Sequence, residues 1–431
     1  MKRDIYQKLL AWKNSKYRKP LILRGARQVG KTYVLTEFAK EYSNSLYINF
    51  EKMLDVIPIF SENIDPKSII NKLQIFFNVT IEPEKTLIIF DEVQECPNAL
   101  NSLKYFNEEA NEYHVVSAGS LLGVKLKREK GFPVGKVDFI DLKPLSFFEF
   151  LVAMQEERLQ EMLANIANFD PINEALHEKA ILLLKQYFII GGMPEAVARF
   201  IVEKDFEQVR KIQQSILDSY VLDFAKHALP NDVMKIMVIW ESIPNQLAKE
   251  NKKFIFSAIR QSARAREYES AIQWLVDAGL IYKSYSISTP KIPLDSYSDK
   301  HIFKIYMLDI GLLGCMNNLP VKIMLDPNQL FMEFKGALTE NFVAQELMVA
   351  HFDKIYYWTS QGTAEVDFVL QHELDIYPLE VKAGISAHKK SLLSYHEKYQ
   401  PKILSRATLM NLKKDGEVCN YPLYLVERFP L

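Results

Sequence analysis

A glycine-rich loop near the amino terminus carries residue types that bind phosphate. Residues 24–32 read RGARQVGKT and match the spacing GxxxxGKS/T from Gly25 to Thr32. In such a loop backbone N–H groups converge on phosphate oxygens, the lysine reaches the terminal phosphates, and the hydroxyl holds magnesium. The sequence therefore predicts a site for ATP and Mg²⁺. The predicted nucleotide-binding residues are Gly25, Ala26, Arg27, Gln28, Val29, Gly30, Lys31, Thr32 and Tyr33.

Two adjacent carboxylates end a second apolar run. Residues 86–92 read TLIIFDE, a pattern typical of a buried parallel strand. Asp91 is predicted to hold magnesium together with Thr32, and Glu92 to polarise the attacking water. Lys31 and Glu92 are therefore the predicted catalytic residues. The structural alternatives are an acidic pair that only ends a core strand and an ATP that is never hydrolysed, but a static nucleotide needs no base.

Small hydroxyl residues end a third apolar run. Residues 114–120 read HVVSAGS, and Ser117 and Ser120 lie where a side chain can contact the attacking water or the terminal phosphate. This position resembles the sensor of AAA-type ATPases. Serine is also common at caps and turns, so a structural role stays open. Arg128, in the charged stretch KLKREK, is a candidate arginine finger, although a run of mixed charge is more typical of a solvated surface.

Five short apolar runs are predicted to form one parallel sheet. Residues 45–50 and 137–142 join the three runs already described, and the spacing leaves room for crossover helices on both faces. The next segment, from 146 to about 225, is rich in helix formers and predicts a helical lid. The sequence GGMP at 191–194 interrupts it, as a hinge or as a tight turn between helices.

Composition limits the environment and the partners of the chain. The 53 basic and 54 acidic residues nearly cancel, so any binding of nucleic acid must use a local patch. Three scattered cysteines form neither a metal-ligand spacing nor a disulfide framework, which favours the cytoplasm. No apolar segment approaches the roughly 20 residues that span a bilayer, so we expect no membrane association.

Residues 232–290 resemble a winged helix-turn-helix. We expect a helix around 233–243, a second near 245–249 and a third from 268 to 278, ended by Gly279 before a strand. A local excess of basic residues favours contact with DNA phosphates. Winged helices also serve as protein–protein adaptors, so this alternative stays open. The candidate DNA contacts are Lys253, Arg260, Arg264 and Arg266.

The carboxy-terminal part contains a second group of charged residues. Two strands, AEVDFVL and IYPLEVK, are joined by a polar turn, and alternation along a strand puts Glu380 and Lys382 on one face. The pattern resembles a PD-(D/E)XK nuclease site. The resemblance implies that Asp367 and Glu380 share a divalent metal, that Lys382 stabilises charge or positions water, and that Glu340 completes the site. A charged hairpin edge or a degenerate site would have the same sequence.

Several motifs together resemble prokaryotic AAA-type ATPases that carry a family-specific carboxy-terminal domain. They are RGARQVGKT, LIIFDEVQ, SAGSLLG, LKPLSFFEF, YFIIGGMPEAV and AIQWLVDAGLIYK. The fold class expected is α/β: a P-loop NTPase core, a helical lid, a winged helix and a restriction-endonuclease-like domain. The predicted boundaries are 1–145, 146–230, 231–295 and 296–431.

Two functions beyond ATP hydrolysis remain open at this level. In the first, ATP turnover drives or licenses a metal-dependent nuclease that acts on DNA. In the second, the protein is an ATP-driven switch whose carboxy-terminal domains only bind a protein or DNA partner. The sequence specifies neither the biological process nor the oligomeric state.

Overall fold

A computed structural model describes most of the chain as two compact units. The described residues are 1–62, 64–126, 135–248, 253–258, 264–320, 335–350, 352–360, 364–383 and 390–431. The P-loop unit contains Lys2–Lys143 and Asp277–Gly279. The C-terminal unit contains Met1, Pro144–Val276 and Leu280–Leu431.

The P-loop unit is an α/β layer structure built on a parallel sheet. Its strands are β1 (Leu21–Arg24), β2 (Asn44–Asn49), β3 (Thr86–Asp91), β4 (His114–Ala118) and β5 (Asp138–Asp141). Its helices are α1 (Ile5–Asn14), α2 (Lys31–Ala39), α3 (Ile57–Glu62), α4 (Pro66–Phe77), α5 (Pro97–Glu109) and α6 (Leu122–Leu126). The strand order is β2-β3-β4-β1-β5, and every pair is parallel. The predicted five-stranded parallel sheet is therefore confirmed.

Burial explains why the interior strand β3 has no alternating pattern. All six residues of β3 are buried, because strands pack on both of its edges and helices on both of its faces. The apolar core around β3 includes Ile88 and Phe90 and side chains of α4 and α5. Local signals fix the helix ends. At α4, for example, the Asp65 carboxylate accepts the Ser68 N–H at 2.7 Å, and Asn78 ends the helix in a left-handed conformation.

The C-terminal unit combines a helical layer with a mixed sheet. Its helices are α7 (Phe147–Ala153), α8 (Glu157–Ala164), α9 (Glu174–Ile190), α10 (Pro194–Glu203), α11 (Phe206–His227), α12 (Pro230–Leu247), α13 (Ala265–Asp277), α14 (Ile310–Met316), α15 (Lys335–Ala350) and α16 (Lys390–Tyr399). Its strands are β6 (Ile281–Ile287), β7 (Ser298–Met307), β8 (Ile355–Thr359), β9 (Glu365–His372), β10 (Asp375–Val381), β11 (Leu404–Thr408), β12 (Lys413–Asp415) and β13 (Val418–Pro422).

The mixed sheet joins segments that the sequence had assigned to different domains. Its order is β12-β13-β11-β10-β9-β8-β6-β7. Strand β6 pairs with β7 on one side and with β8 on the other, so the boundary predicted after residue 295 falls between two hydrogen-bonded strands. The division of the chain into four domains therefore stays a prediction, and the contacts themselves define two units.

The helices predicted at 146–230 are present, and they belong to the C-terminal unit. The capping box of Ser146 and Glu149 starts α7, whose Phe147 N–H donates to Glu346 of α15 at 3.0 Å. The hydroxyl of Tyr187 on α9 donates to the Leu145 carbonyl. These contacts hold α7 and α9 to the carboxy-terminal fold, and a lid role toward nucleotide stays a prediction.

The GGMP sequence is a fixed turn between α9 and α10. Gly191 has φ +72°, and a Cβ built on it would lie 2.3 Å from the Asp309 carboxylate. The Gly192 N–H donates to that carboxylate at 2.6 Å. Of the two alternatives left open by the sequence, the tight turn is the one found.

The winged-helix segment differs from its prediction at one helix. Residues 245–247 continue α12, although Pro244 lies inside it, and no break separates the first two expected helices in the described part of this segment. The Ala248 N–H still donates to the Pro244 carbonyl, so the helical path continues past the proline. Helix α13 and the strand after Gly279 are observed. The winged-helix assignment itself stays a prediction.

No single helix among the described residues is long and apolar enough to cross a membrane. Helices α9 and α10 taken together reach the length and apolar composition of a membrane span, but the chain bends by 119° between them.

Candidate functional site

The phosphate-binding loop depends on two glycines. Gly25 has φ +155°, and an added Cβ would lie 2.2 Å from the Leu142 carbonyl oxygen. Gly30 has φ +94° and immediately precedes α2. Only a residue without a side chain fits the first position, and the second needs the left-handed backbone that glycine adopts at low cost. The loop therefore ends at the amino terminus of α2, where backbone N–H groups can bind an anion.

Two backbone carbonyls of this loop bind the Lys31 side chain. Its ammonium donates to the carbonyls of Gly25 at 3.0 Å and Ala26 at 2.8 Å, and the residue is 8% exposed. Neighbouring predicted residues differ in exposure: Ala26 and Val29 are buried, while Arg27 and Tyr33 are exposed. Gln28 has a left-handed backbone with φ +67°.

Asp91 sits at the end of β3 among hydroxyl groups. Its Oδ2 accepts from Thr32 Oγ1 at 3.0 Å and from the Tyr47 hydroxyl at 2.5 Å, and its Oδ1 accepts from the Glu92 N–H at 3.0 Å. Burial, and then the bond to Asp91, raise the pKa of Tyr47 to about 12, so its hydroxyl stays a donor at neutral pH. A hydroxyl beside a carboxylate is a suitable oxygen donor pair for Mg²⁺.

Glu92 is fixed next to Asp91 by its own partners. The residue has a left-handed backbone with φ +49°. Its Oε2 accepts from the Gln94 amide and from the N–H and hydroxyl of Ser120, the latter two at 3.3 Å. Gln94 can reach because residue 119 is glycine, where a Cβ would lie 1.9 Å from the Gln94 oxygen. Three donors thus orient one carboxylate oxygen.

The two predicted sensor residues have different surroundings. Ser120 contacts Glu92, whereas Ser117 is fully buried in β4. Among the described residues, the Ser117 hydroxyl has no hydrogen-bond partner. Ser120 is therefore the one of the pair that meets the predicted base. Arg128, the candidate arginine finger, lies outside the described residues.

The carboxy-terminal group assembles on neighbouring strands. Antiparallel pairing matches Leu379 with Phe368, so the next residues across the ladder are Glu380 and Asp367. The Val381 N–H donates to Asp367 Oδ2 at 2.8 Å, and Lys382 forms an ion pair with Glu380 at 2.8 Å. Burial lowers the pKa of Lys382, but the carboxylates of Glu380, Asp367 and Glu340 outweigh it and leave the pKa raised. The four predicted residues therefore influence one another.

Glu340, however, is bound to a lysine that the sequence interpretation had not included. Its Oε1 accepts from the Lys304 ammonium at 3.0 Å and from the Tyr306 hydroxyl at 2.6 Å. Lys304 also contacts Glu365 at 2.5 Å. Burial lowers the pKa of Lys304, yet the surrounding carboxylates raise it well above its usual value.

The fit of this group to a divalent metal is partial. Within the ranges that the structure describes, no three His, Cys, Asp or Glu side chains are arranged to hold a metal ion. Asp367 and Glu380 lie one position beyond Phe368 and Leu379, the last paired residues of β9 and β10, and among the described residues the buried Glu380 Oε2 has no hydrogen-bond partner. Mg²⁺ is often bound by one or two carboxylates completed by water and phosphate. Asp367 and Glu380 would therefore need water and phosphate ligands to complete a magnesium site.

Comparison with protein families places a known domain on the P-loop unit. Residues 17–151 match the family model described as an AAA domain. These residues form an AAA-type P-loop ATPase domain. Residues 181–322 and 335–425 match two models described only as domains of unknown function, DUF8612 and DUF4143. No curated protein matches the chain.

Solved structures offer only weak likenesses. The Walker-type ATPase PABY2304 of Pyrococcus abyssi is 14% identical, with 73% of this chain and 95% of that chain covered and a TM-score of 0.47. Cdc6p from Pyrobaculum aerophilum is 13% identical, with 76% and 96% covered and a TM-score of 0.27. AMPPCP-bound DnaA from Aquifex aeolicus is 14% identical, with 63% and 85% covered and a TM-score of 0.28. TM-scores this low support no statement about function.

The P-loop unit also contains site residues that the sequence interpretation missed. Tyr47 bonds Asp91, Gln94 bonds Glu92, and Arg3 donates to the Val29 carbonyl at 3.1 Å. Gln94 follows Glu92 by two positions and is the last residue of the motif LIIFDEVQ. Tyr47 has a weaker signal, because its approach depends on β2 lying next to β3. Arg3 has no sequence signal, because its contact with Val29 joins residues that are 26 positions apart.

The candidate DNA contacts are only partly described. Arg264 and Arg266, at the start of α13, are exposed, and Lys253 is half-buried. Arg260 lies outside the described residues. The two exposed arginines are available to a phosphate backbone, and their contact with DNA stays a prediction.

Proposed function

We propose that the protein binds ATP with Mg²⁺ and hydrolyses it at the P-loop. The observation that carries this proposal is the 3.0 Å hydrogen bond between Thr32 Oγ1 and Asp91 Oδ2, with Glu92 directly following Asp91. The loop, the metal-binding pair and the base thereby meet at the amino terminus of α2. Such a meeting supplies the parts that hydrolysis of a terminal phosphate requires.

Each residue has a distinct task in this proposal. The loop N–H groups bind the phosphates, and Lys31 moves its charge from the loop carbonyls to the terminal phosphates. Thr32 and Asp91 hold the magnesium ion, which would neutralise the developing charge. Glu92 accepts a proton from the attacking water, and Ser120 and Gln94 orient it. Arg128 is the candidate arginine finger and would stabilise the charge on the terminal phosphate in the same or a neighbouring subunit.

We further propose that ATP turnover is coupled to action on DNA. The exposed Arg264 and Arg266 support binding to a phosphate backbone, and Asp367, Glu380 and Lys382 support metal-dependent cleavage. We expect the protein to act in the cytoplasm.

A specific observation also favours the alternative of a switch without cleavage. Lys304 and Tyr306 both bind the Glu340 oxygen that a nuclease metal would use. A partner protein or DNA would then bind the carboxy-terminal fold in an ATP-dependent way. Cleavage that needs Mg²⁺ and is lost in Asp367→Ala would support the nuclease, and its absence across single-stranded, duplex and branched DNA would support the switch.

The first test is magnesium-dependent phosphate release by the wild type, Lys31→Ala and Glu92→Gln, with and without duplex DNA. A general base contributes on the order of 100-fold to 10,000-fold, so Glu92→Gln should lose at least about 100-fold. Glu95→Gln is the matched control, because Glu95 is exposed and only three residues away. Unchanged turnover in Glu92→Gln would contradict the assigned base, and stimulation by DNA would support coupling.

A further inference from the structure

The turn between α13 and β6, residues 277–279, belongs by its contacts to the P-loop unit, although the chain on both sides of it belongs to the C-terminal unit. This 277–279 turn lies in the motif AIQWLVDAGLIYK, which the proposed ATP site does not use. A Cβ built on Gly123 of α6 would lie 2.1 Å from the Asp277 carbonyl oxygen. Gly123 comes from a second unused motif, SAGSLLG, and its lack of a side chain permits this close approach.

The second contact of the 277–279 turn is with the phosphate-binding loop. A Cβ built on Gly279 would lie 3.5 Å from the Ala26 nitrogen and 4.0 Å from the Ala26 Cβ. The carbonyl of the same Ala26 accepts from the Lys31 ammonium at 2.8 Å. In the proposed function Lys31 leaves this carbonyl when it binds the terminal phosphates. The turn therefore lies against the loop residue whose bonding changes when nucleotide binds.

The backbone of the 277–279 turn is fixed by its own hydrogen bonding. Gly279 has φ +74°, and beyond it the Leu280 N–H donates to the Leu275 carbonyl at 3.0 Å. This bond and the left-handed glycine are those of a Schellman motif, which closes the end of α13. Because the turn is closed in this way, we expect a displacement of the turn to pass to the elements at its two ends.

Both ends of the 277–279 turn are packed into the C-terminal unit. On the α13 side, Trp274 lies edge-to-face against Phe224 of α11, with ring centroids 5.3 Å apart. On the β6 side, the Leu280 carbonyl accepts from the Leu308 N–H at 3.0 Å, just after the end of β7. A displacement of the turn would therefore act on the mixed sheet and on α13, which carries the candidate DNA contact Arg266.

We propose that the 277–279 turn couples nucleotide binding at the P-loop to α13 and β6. When Lys31 binds phosphate, the Ala26 peptide changes its bonding and the turn follows it. Gly123 and Gly279 are positioning residues, because they contact the turn and the loop and not the reacting phosphate. The inference rests on the ATP binding of the proposed function and adds the segment through which that binding reaches the C-terminal unit. Such coupling is reciprocal, so a ligand of α13 must change the affinity for nucleotide by the same factor.

The test is hydrogen exchange of the full chain with and without AMP-PNP and Mg²⁺, with nucleotide binding measured separately by titration calorimetry. We expect exchange to slow by at least about fivefold in peptides from the P-loop, α13 and β6, and to stay unchanged in peptides from β12. Slower exchange in the P-loop alone would overturn the coupling and leave ATP binding intact. No binding by calorimetry would overturn the proposed ATP binding and this inference with it.

Gly123→Ala separates the turn from the rest of the P-loop unit. Its methyl group would collide with the Asp277 carbonyl, while alanine itself favours the helical conformation of α6. We expect AMP-PNP still to slow exchange in the P-loop, whereas its effect on α13 and β6 should fall below about twofold. An effect on α13 and β6 equal to that in the wild type would overturn the proposal.

Gly279→Ala and Gly135→Ala form a matched pair. The two glycines have φ +74° and +73°, but the added methyl group meets Ala26 in the first variant and open space in the second. Only Gly279→Ala should change the effect of AMP-PNP on α13 and β6. Equal behaviour of the two variants would contradict the role of the contact with Ala26. If Gly123→Ala does not fold, this pair decides.

Discussion

The lysines of the P-loop and of the carboxy-terminal charged group have different kinds of partner. Lys31 donates to the backbone carbonyls of Gly25 and Ala26, and Asp91 accepts from two hydroxyls and an N–H. Lys304 and Lys382 are paired directly with carboxylates. In the first site neutral groups contact both the lysine and the carboxylate. In the second site the lysines contact carboxylates directly.

This difference indicates what each site can accept. A lysine and a carboxylate that are bound by neutral groups gain much from a ligand that brings a phosphate to the lysine and magnesium to the carboxylate. A joined pair gains little, because any incoming ion must replace an existing partner at a desolvation cost. We therefore expect the P-loop to accept a ligand that carries both charges more readily than the carboxy-terminal group accepts an ion.

The largest expected effect is a difference in the stability lost when Lys304 and Lys31 are each replaced by methionine. Lys304→Met leaves Glu340 buried without its cation, and removal of one partner of a buried ion pair costs about 3–5 kcal/mol. Lys31→Met loses hydrogen bonds to carbonyls that water can replace, and about 1 kcal/mol is expected. Hydrogen exchange of peptides from β7 and from α2 measures each loss in its own unit. Equal losses would contradict the contrast between the two lysines.

A second prediction concerns a buried carboxylate of the C-terminal unit that is held by backbone N–H groups. Gly191→Ala would place a methyl group 2.3 Å from Asp309, in a backbone region that only glycine tolerates, and should cost about 2–3 kcal/mol. Gly416→Ala is the control, because its φ is also positive, +65°, while its Cβ would meet open space. That variant should lose about 1 kcal/mol. Urea unfolding of both variants, followed by hydrogen exchange near α10, tests the difference.

The smallest expected effect is a change in the stability of each unit with pH. Burial, and then Arg18 and Lys13, lower the pKa of His114 in the P-loop unit to about 4. A folded pKa below the unfolded value of 6.5 means that stability is present above pH 6.5 and is lost as the pH falls toward 4. Between pH 7 and 5 we expect a loss of roughly 1–2 kcal/mol, after allowance for screening by solvent. His114→Gln should remove this slope.

Asp309 should give the opposite slope in the C-terminal unit. Burial raises its pKa to about 6, despite hydrogen bonds from Gly192, Leu312 and Gly311 N–H groups. Its contribution is therefore present below pH 3.8 and is lost as the pH rises through 6, by about 1 kcal/mol between pH 5 and 7. Asp309→Asn removes the titration. Hydrogen exchange at pH 5 and 7, corrected for intrinsic rates, measures both slopes, and slopes of the same sign in both units would contradict the comparison.

Part of the fold and of the site could be predicted because it depends on patterns within short, continuous segments of the sequence. The loop from Gly25 to Thr32 and the run ending at Asp91 are local patterns, and the parallel sheet followed from spacing. The partner of Glu340 could not be predicted in this way. Lys304 stands within the apolar run HIFKIYM and Glu365 stands two residues before Asp367, so signals existed, but nothing local joins β7 to α15.

The amino-acid order fixed the chemistry of the P-loop, since a phosphate loop is made by consecutive backbone groups and two glycines whose conformations are local. It also fixed which carboxylates share a face, because side chains alternate along a strand. Long-range packing selected their partners: Tyr47 for Asp91, Ser120 for Glu92 and Lys304 for Glu340. Such pairings depend on which strands and helices become neighbours, and burial then makes each pairing costly to exchange.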